Sequence, residues 1–244
     1  MKIAVFYNLS FGGAKRVVQE HVKGLIELGH VVDLYTTDSN NDIFDPSIYA
    51  SSTYKYTLND AGVLRLLGRF YKDYENFVLL KKLHQKIAQD INKRKYDVVL
   101  VHPDHLTQAP FLLRFLKKPS AYYCQEPLRI AYEYSLKFNE NVSLPKRVYE
   151  IITRNIRKNI DQQNTRSATI TIASCFHVRE RMISAYNVFP KVVYCGVNEK
   201  VFRPKKINKK NQIFFVGSKD VSIDGYDLVD QALKLIPSKI RPKL

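Results

Sequence analysis

The chain has 244 residues, 45% of them hydrophobic, and a formal net charge of +16. That length holds one large domain or two small ones, and that apolar share supports a packed core, so a disordered or fibrous chain is excluded. No apolar run reaches the roughly 18 residues of a membrane-spanning helix, and Asn8 turns the start of the chain polar too early for a secretory leader. The expectation is a cytosolic protein.

Residues 2–7 are apolar, with β-branched and aromatic members, and predict a buried strand. A turn-forming loop runs from Asn8 to Gly13. Val17, Val18, Val22, Leu25, Ile26 and Leu28 then recur at helical spacing, and Gly29 is placed to end that helix. Residues 31–35 form a second strand, completing a βαβ unit whose crossover should be right-handed. A polar stretch follows, with a short strand expected at 54–57. Residues 61–95 predict a helix broken near Gly68 or Asp73, and 97–101 another buried strand.

Further on, the pattern predicts a helix at 106–117, a strand at 120–124, and helices at 128–139 and 145–165. A strand at 168–173, a helix at 175–186 and a strand at 191–195 complete the alternation. Such alternation implies an α/β fold: a Rossmann-like, doubly wound parallel sheet covered on both faces. Residues 1–196 form this domain, and 197–210 a basic, proline-bearing linker. Residues 211–244 open a second, incomplete α/β domain, with a strand at 213–216 and a helix at 226–236.

The cysteines, Cys124, Cys175 and Cys195, are scattered without CxxC spacing and read as free thiols, not as a zinc site or disulfide framework. The positive charge favours polyanionic partners and recurs in clusters such as Lys93, Arg94, Lys95 and Arg147, Arg154, Arg157, Lys158. Solvated helix faces and contact with an anionic membrane both account for these clusters. No RNP, zinc-finger or helix-turn-helix signature accompanies them, which argues against nucleic acid.

Four constellations stand where a doubly wound sheet binds ligands, at the carboxyl ends of its strands. Gly12-Gly13 before the first helix lets the backbone approach a phosphate, and equally makes a tight turn. The loop carries neither a Walker ending nor GxGxxG, so a nicotinamide or flavin cofactor is not implied. His102, just past its strand, would point into the crevice and donate to a sugar hydroxyl or carry a proton; Asp104 and His105 beside it fit no metal spacing. Gln125-Glu126-Pro127 with Arg129 presents polyol-binding side chains, or simply starts a helix. Gly217 closes the strand at 213–216 and would face a phosphate.

Together these segments resemble the family 4 retaining glycosyltransferases of the GT-B type. The resemblance is carried by Gly12-Gly13-Ala14, Leu28-Gly29-His30-Val31-Val32, Tyr96-Asp97-Val98-Val99 before His102, and Ala168-Thr169-Ile170-Thr171 with Ser174. It continues through Gly196-Val197-Asn198 with Phe202 and Pro204, Phe214-Phe215-Val216-Gly217, and Gly225-Tyr226-Asp227-Leu228. It implies an N-terminal acceptor-side domain and the start of a nucleotide-sugar domain. The implied partners are a nucleotide-sugar donor and a glycan or lipid-linked acceptor, with no metal and no further cofactor.

Carried over, Gly12 and Gly13 lie under the donor diphosphate, with Gly217 and Lys219 contributing to its clamp. His102 sits beside the transferred sugar as the catalytic candidate, and Gln125, Glu126 and Arg129 line the acceptor side. Asp224 stands where the family has a lysine, an anion in place of a cation. The family's paired glutamates lie further into the donor domain than this sequence reaches, so the chain alone is expected to be poorly active. The alternative is a non-catalytic half that binds an acceptor or a partner.

Overall fold

A computed structural model describes residues 1–37, 42–58, 68–132, 143–204, 208, 210–217 and 225–244. Within it the chain divides into two compact units, Met1–Cys195 and Gly196–Leu244.

The first unit is built on seven parallel strands: β1 (Lys2–Asn8), β2 (Val31–Thr36), β3 (Ser52–Lys55), β4 (Val98–Asp104), β5 (Ser120–Cys124), β6 (Ile170–Ala173) and β7 (Lys191–Val192). Their order is β3-β2-β1-β4-β5-β6-β7. The chain therefore runs outward in one direction from β1 and in the other from β4. The gap between β1 and β4 is the topological switch point, where a crevice opens above the carboxyl ends of the strands.

The alternation of β1 shows why the sheet is covered on both faces. Ile3, Val5 and Tyr7 pack with Val32, Leu34 and the helix residues Val18 and Val22. Ala4 and Phe6 point the other way and join Val99, Val101, Tyr122, Ile87, Ile91 and Met182. The helices that supply these residues are α1 (Gly13–Glu27), α3 (Leu80–Lys93) and α6 (Phe176–Tyr186). Two apolar faces on one strand demand two helical layers.

Local signals place the element ends. α1 stops in a Schellman motif: Gly29 has φ of 80°, its amide donates to the Ile26 carbonyl at 2.9 Å, and the His30 amide donates to the Leu25 carbonyl at 3.0 Å. The helical stretch preceding β4 begins with α2 (Arg69–Tyr74), passes through a π-helical turn at Glu75–Leu79 and continues as α3; the part expected at 61–67 lies outside the described residues. α4 (Arg129–Tyr132) and the long α5 (Leu144–Arg166) follow β5; the rest of the helix expected at 128–139 lies outside the described residues.

Several expected elements differ: the strand expected at 54–57 lies at Ser52–Lys55, and the one expected at 191–195 covers only Lys191–Val192. The helix expected over 106–117 is only a 3-10 turn at Phe111–Arg114. The Asp104 carboxylate captures the amides of Leu106 and Thr107, Gln108 turns left-handed at φ of 62°, and Pro110 fixes an extended residue before the turn. Side-chain capture of amides competes directly with helix formation. In the second unit no strand forms at 213–216. Its described residues hold α7 (Tyr226–Lys234) and an isolated bridge between Gln212 and Lys243, because a single strand has no neighbour to pair with.

Candidate active site

At the switch point the ends of β1, β4 and β5 converge on the first turn of α1. Leu9, Ala14, Pro103, Gln108, Gln125 and Glu126 line a cavity of about 250 Å³ there. A second cavity, of about 300 Å³, is lined by Thr165, Arg166, Thr169, Thr171 and Lys191 among others. It opens at the amino ends of β6 and β7, the edge of such a sheet that does not carry ligands.

The switch-point cavity is held open by a buried polar frame. Asp104 is fully buried; its carboxylate accepts from the Asn8 amide at 2.7 Å and lies 3.4 Å from the buried His84 ring. Burial alone would raise the Asp104 carboxyl. His84, Asn8 and the Leu106 amide outweigh burial and hold it below the ordinary carboxylate range. Asp104 thus locks the end of β1 to the end of β4, 96 positions apart along the chain.

The other walls are cross-tied. The Gln125 side-chain amide donates to the Ala14 carbonyl at 3.0 Å, and the Gln108 side-chain amide donates to the Glu126 carbonyl at 2.7 Å. Ser174 donates to the Gln125 carbonyl at 3.0 Å and the Cys124 thiol to the Glu126 carbonyl at 3.2 Å. Behind these, the buried Asp161 of α5 accepts from the Ala109 amide at 3.1 Å and the Tyr186 hydroxyl at 2.6 Å. Tyr186 in turn accepts from the Leu128 amide at 3.2 Å. One carboxylate therefore braces both the segment after Gln108 and the segment after Glu126. Burial, only partly offset by Tyr186 and the Ala109 amide, pushes the Asp161 carboxyl up to about 7.

Gly12 and Gly13 lie where the loop after β1 enters α1. Gly12 is the N-cap of α1 without any side-chain cap, and a methyl group built on either glycine meets no atom within 4 Å. The helix start thus carries no side-chain cap and has room beside its two glycines, a setting suited to an anion. The neighbouring Lys15 is fully buried and pairs with Asp42 at 2.8 Å. Arg129 stands 4.0 Å from Glu126 at the outer edge.

His102 occupies a different place from the one its sequence position suggests. β4 continues through Asp104, so His102 lies inside the strand and is fully buried. Between Phe6 and Asn8 the β1–β4 register shifts, because β4 carries an extra residue there. This bulge accommodates Pro103, which could not donate within a regular central strand, and puts Pro103, not His102, in the cavity wall. The His102 ring packs against His21 at 5.2 Å and Tyr123 at 5.6 Å between centroids. Neither of its nitrogens has a hydrogen-bond partner among the described residues. Burial, aided by His21, drives its pKa well below the ordinary imidazole value, so the ring is neutral.

Of the residues named from the sequence, Gln125 and Glu126 line the cavity and Arg129 stands beside Glu126, while Gly12 and Gly13 precede the lining residue Ala14 without lining the cavity themselves. Sequence reasoning missed Leu9, Pro103 and Gln108 as lining residues. A proline in a central strand was the available signal for the bulge. Gly217 lies exposed in the second unit, while Lys219 and Asp224 lie outside the described residues. No group of three or more His, Cys, Asp or Glu side chains fit to hold a metal occurs among the described residues.

An all-parallel, doubly wound sheet with its cavity at the switch point defines a Rossmann-like α/β domain. The chain belongs to glycosyltransferase family 4, whose profile matches residues 11–201. No curated protein matches the sequence. Among solved structures, sucrose-phosphate synthase from Thermosynechococcus elongatus is similar at 16% identity and a TM-score of 0.52, covering 84% of this chain and 50% of its own. Anabaena HepE in complex with UDP matches at 16% identity and a TM-score of 0.49, over 84% of this chain and 47% of its own. The lipopolysaccharide outer core galactosyltransferase WaaB matches at 13% identity and a TM-score of 0.49, over 97% of this chain and 58% of its own. The chain spans about half the length of these proteins, and the first of them supports a GT-B type fold.

Proposed function

We propose that the chain supplies the acceptor side of a retaining glycosyltransferase that moves a hexose-like sugar from a nucleotide donor to a glycan or lipid-linked acceptor. The observation that carries this reading is the switch-point cavity, lined by Ala14 at the start of α1 and by Gln125 and Glu126, in a chain of this family. The side-chain-free helix start beside Gly12 and Gly13 faces the donor diphosphate. Gln125, Glu126 and Arg129 hold acceptor hydroxyls. No acid or base in the cavity is needed to form the new bond in this scheme. Rate comes from holding donor and acceptor together and from stabilising an oxocarbenium-like transition state and the departing diphosphate. His102 then acts as a positioning residue, packed behind Pro103 and against Tyr123.

Calorimetric titration with nucleoside diphosphates and their sugars tests the reading. Binding that Gly13→Val abolishes is expected. Absence of binding for every nucleotide tried would overturn it.

A second reading, a non-catalytic half that binds acceptor or partner, is favoured by the second unit. There Phe214 is 88% exposed, Val216, Leu228 and Leu235 are also exposed, and only Leu233 is buried among its described hydrophobic residues. Acceptor binding without nucleotide binding would select it.

A further inference from the structure

The first three turns of α5 are inside out. The buried positions of this helix are polar: Thr153, Asp161, Asn164 and Thr165. Leu144, Val148, Ile151, Ile152 and Ile156 are all exposed instead. At 3.6 residues per turn these five fall on one arc of roughly 140°, which over this stretch also takes in Pro145 and Asn155. Such a helix gains nothing from the protein core for its apolar residues and exposes them to water at a cost.

The surroundings say what would cover the arc. Arg147, Arg154 and Lys158 run along one border of it, at positions i, i+7 and i+11 of the same helix. Glu150, an acid on the side away from the arc, is bound by the two terminal guanidinium nitrogens of Arg69 from α2. Asp73 is likewise held by Arg157 at 3.2 Å. Phe70, 68% exposed, packs edge-on against Tyr149 at 5.1 Å and widens the apolar surface. An apolar strip bordered by cations, with its nearest acids already neutralised, is complementary to an anionic lipid surface. No helix among the described residues is long and apolar enough to cross a membrane, so contact would be at the interface plane.

We infer that the outer face of α5, with Phe70 of α2, docks this protein onto anionic lipid. Leu144, Val148, Ile151, Ile152 and Ile156 enter the acyl boundary, and Arg147, Arg154 and Lys158 lie at the phosphate level. The inference stands on this surface alone and does not depend on sugar transfer.

The test uses the whole chain, without nucleotide or acceptor, and sedimentation with vesicles of phosphatidylglycerol and phosphatidylcholine in equal parts. The protein is expected to bind these vesicles, to ignore pure phosphatidylcholine, and to lose affinity as salt rises. Ile151→Asp with Ile152→Asp should weaken binding at least about tenfold at an unchanged circular-dichroism spectrum, since both changes put charge into the apolar boundary. The sequence contains no tryptophan, so Val148→Trp gives a single reporter. Its emission should shift to the blue on mixed vesicles, while Lys82→Trp on α3 should not shift. Absence of vesicle binding, equal binding by the double variant, or an unmoved Trp signal at position 148 on bound protein overturns the inference. So does a dimer in sedimentation velocity that the double variant dissolves, which would make the face a contact between copies.

Discussion

The side-chain amide of Gln125 donates to the main-chain carbonyl of Ala14 at 3.0 Å. This bond joins the end of β5 to the first turn of α1, 111 residues earlier in the chain. The segment that follows β5 and the start of α1 are thereby fixed relative to each other. Gln125→Ala is expected to cost about 1 kcal/mol of stability, the usual worth of one such bond. Loss of ligand affinity should be larger than that, because the wall is released. Thermal melts set beside calorimetric titrations separate the two effects; a purely structural role would lower the melting temperature and leave affinity intact.

Gly13 faces open space, so a larger side chain there need not disturb the fold. Gly13→Val should change stability by less than about 1 kcal/mol, since valine is no worse a helix former than glycine. It should nevertheless reduce nucleotide affinity by tenfold or more, by filling the room a phosphate needs. Unchanged affinity in a folded variant would remove the glycines from the site.

These residues also show how much could be read in advance. The βαβ start and the parallel sheet were legible because strand and helix periods alternate cleanly from Lys2 to Thr36, with Gly29 marking a stop. Gln125 and Glu126 were legible because they follow an apolar run that ends at Cys124. His102 was misplaced because a bulge is a tertiary event: whether a strand ends at 101 or runs to 104 depends on Asn8 and Asp104 meeting across the sheet. The helix expected at 106–117 failed for a similar reason. Its apolar spacing is helical, yet Asp104 takes the amides that would start it.

His102 has its pKa depressed by burial, so the unfolded chain binds a proton that the folded chain refuses. Stability linked to this ring is complete above the unfolded value of about 6.5 and is lost as pH falls below it. His102→Phe should flatten this acid limb and leave stability near neutral pH unchanged or higher, because two unpartnered ring nitrogens leave the core. Denaturant titrations at pH values from neutral down to mildly acidic measure the slope. A steeper acid limb in the variant would refute the assignment.

Asp161 works on the other side. Its carboxyl is raised to about 7 in the folded state, so the favourable contribution is complete below the unfolded value of about 3.9 and is lost as pH rises through 7. Asp161→Asn removes that loss. The difference in stability between mildly acidic and mildly alkaline pH should shrink in the variant by on the order of 2–4 kcal/mol, at about 1.4 kcal/mol per unit. The same denaturant titrations, extended to alkaline pH, read it out. An unchanged pH dependence would mean that Asp161 is ionised throughout.

The central claim is that the cavity at the ends of β1, β4 and β5 receives the nucleotide donor and the acceptor. Amide NMR of the labelled chain during titration with UDP tests it most directly. The account predicts shifts concentrated at Gly12, Gly13, Ala14, Gln125 and Glu126, with Thr169, Thr171 and Lys191 at the opposite end of the sheet unmoved. Shifts centred on Thr169, Thr171 and Lys191, or a silent Gly12–Gly13 segment at saturating nucleotide, would contradict it.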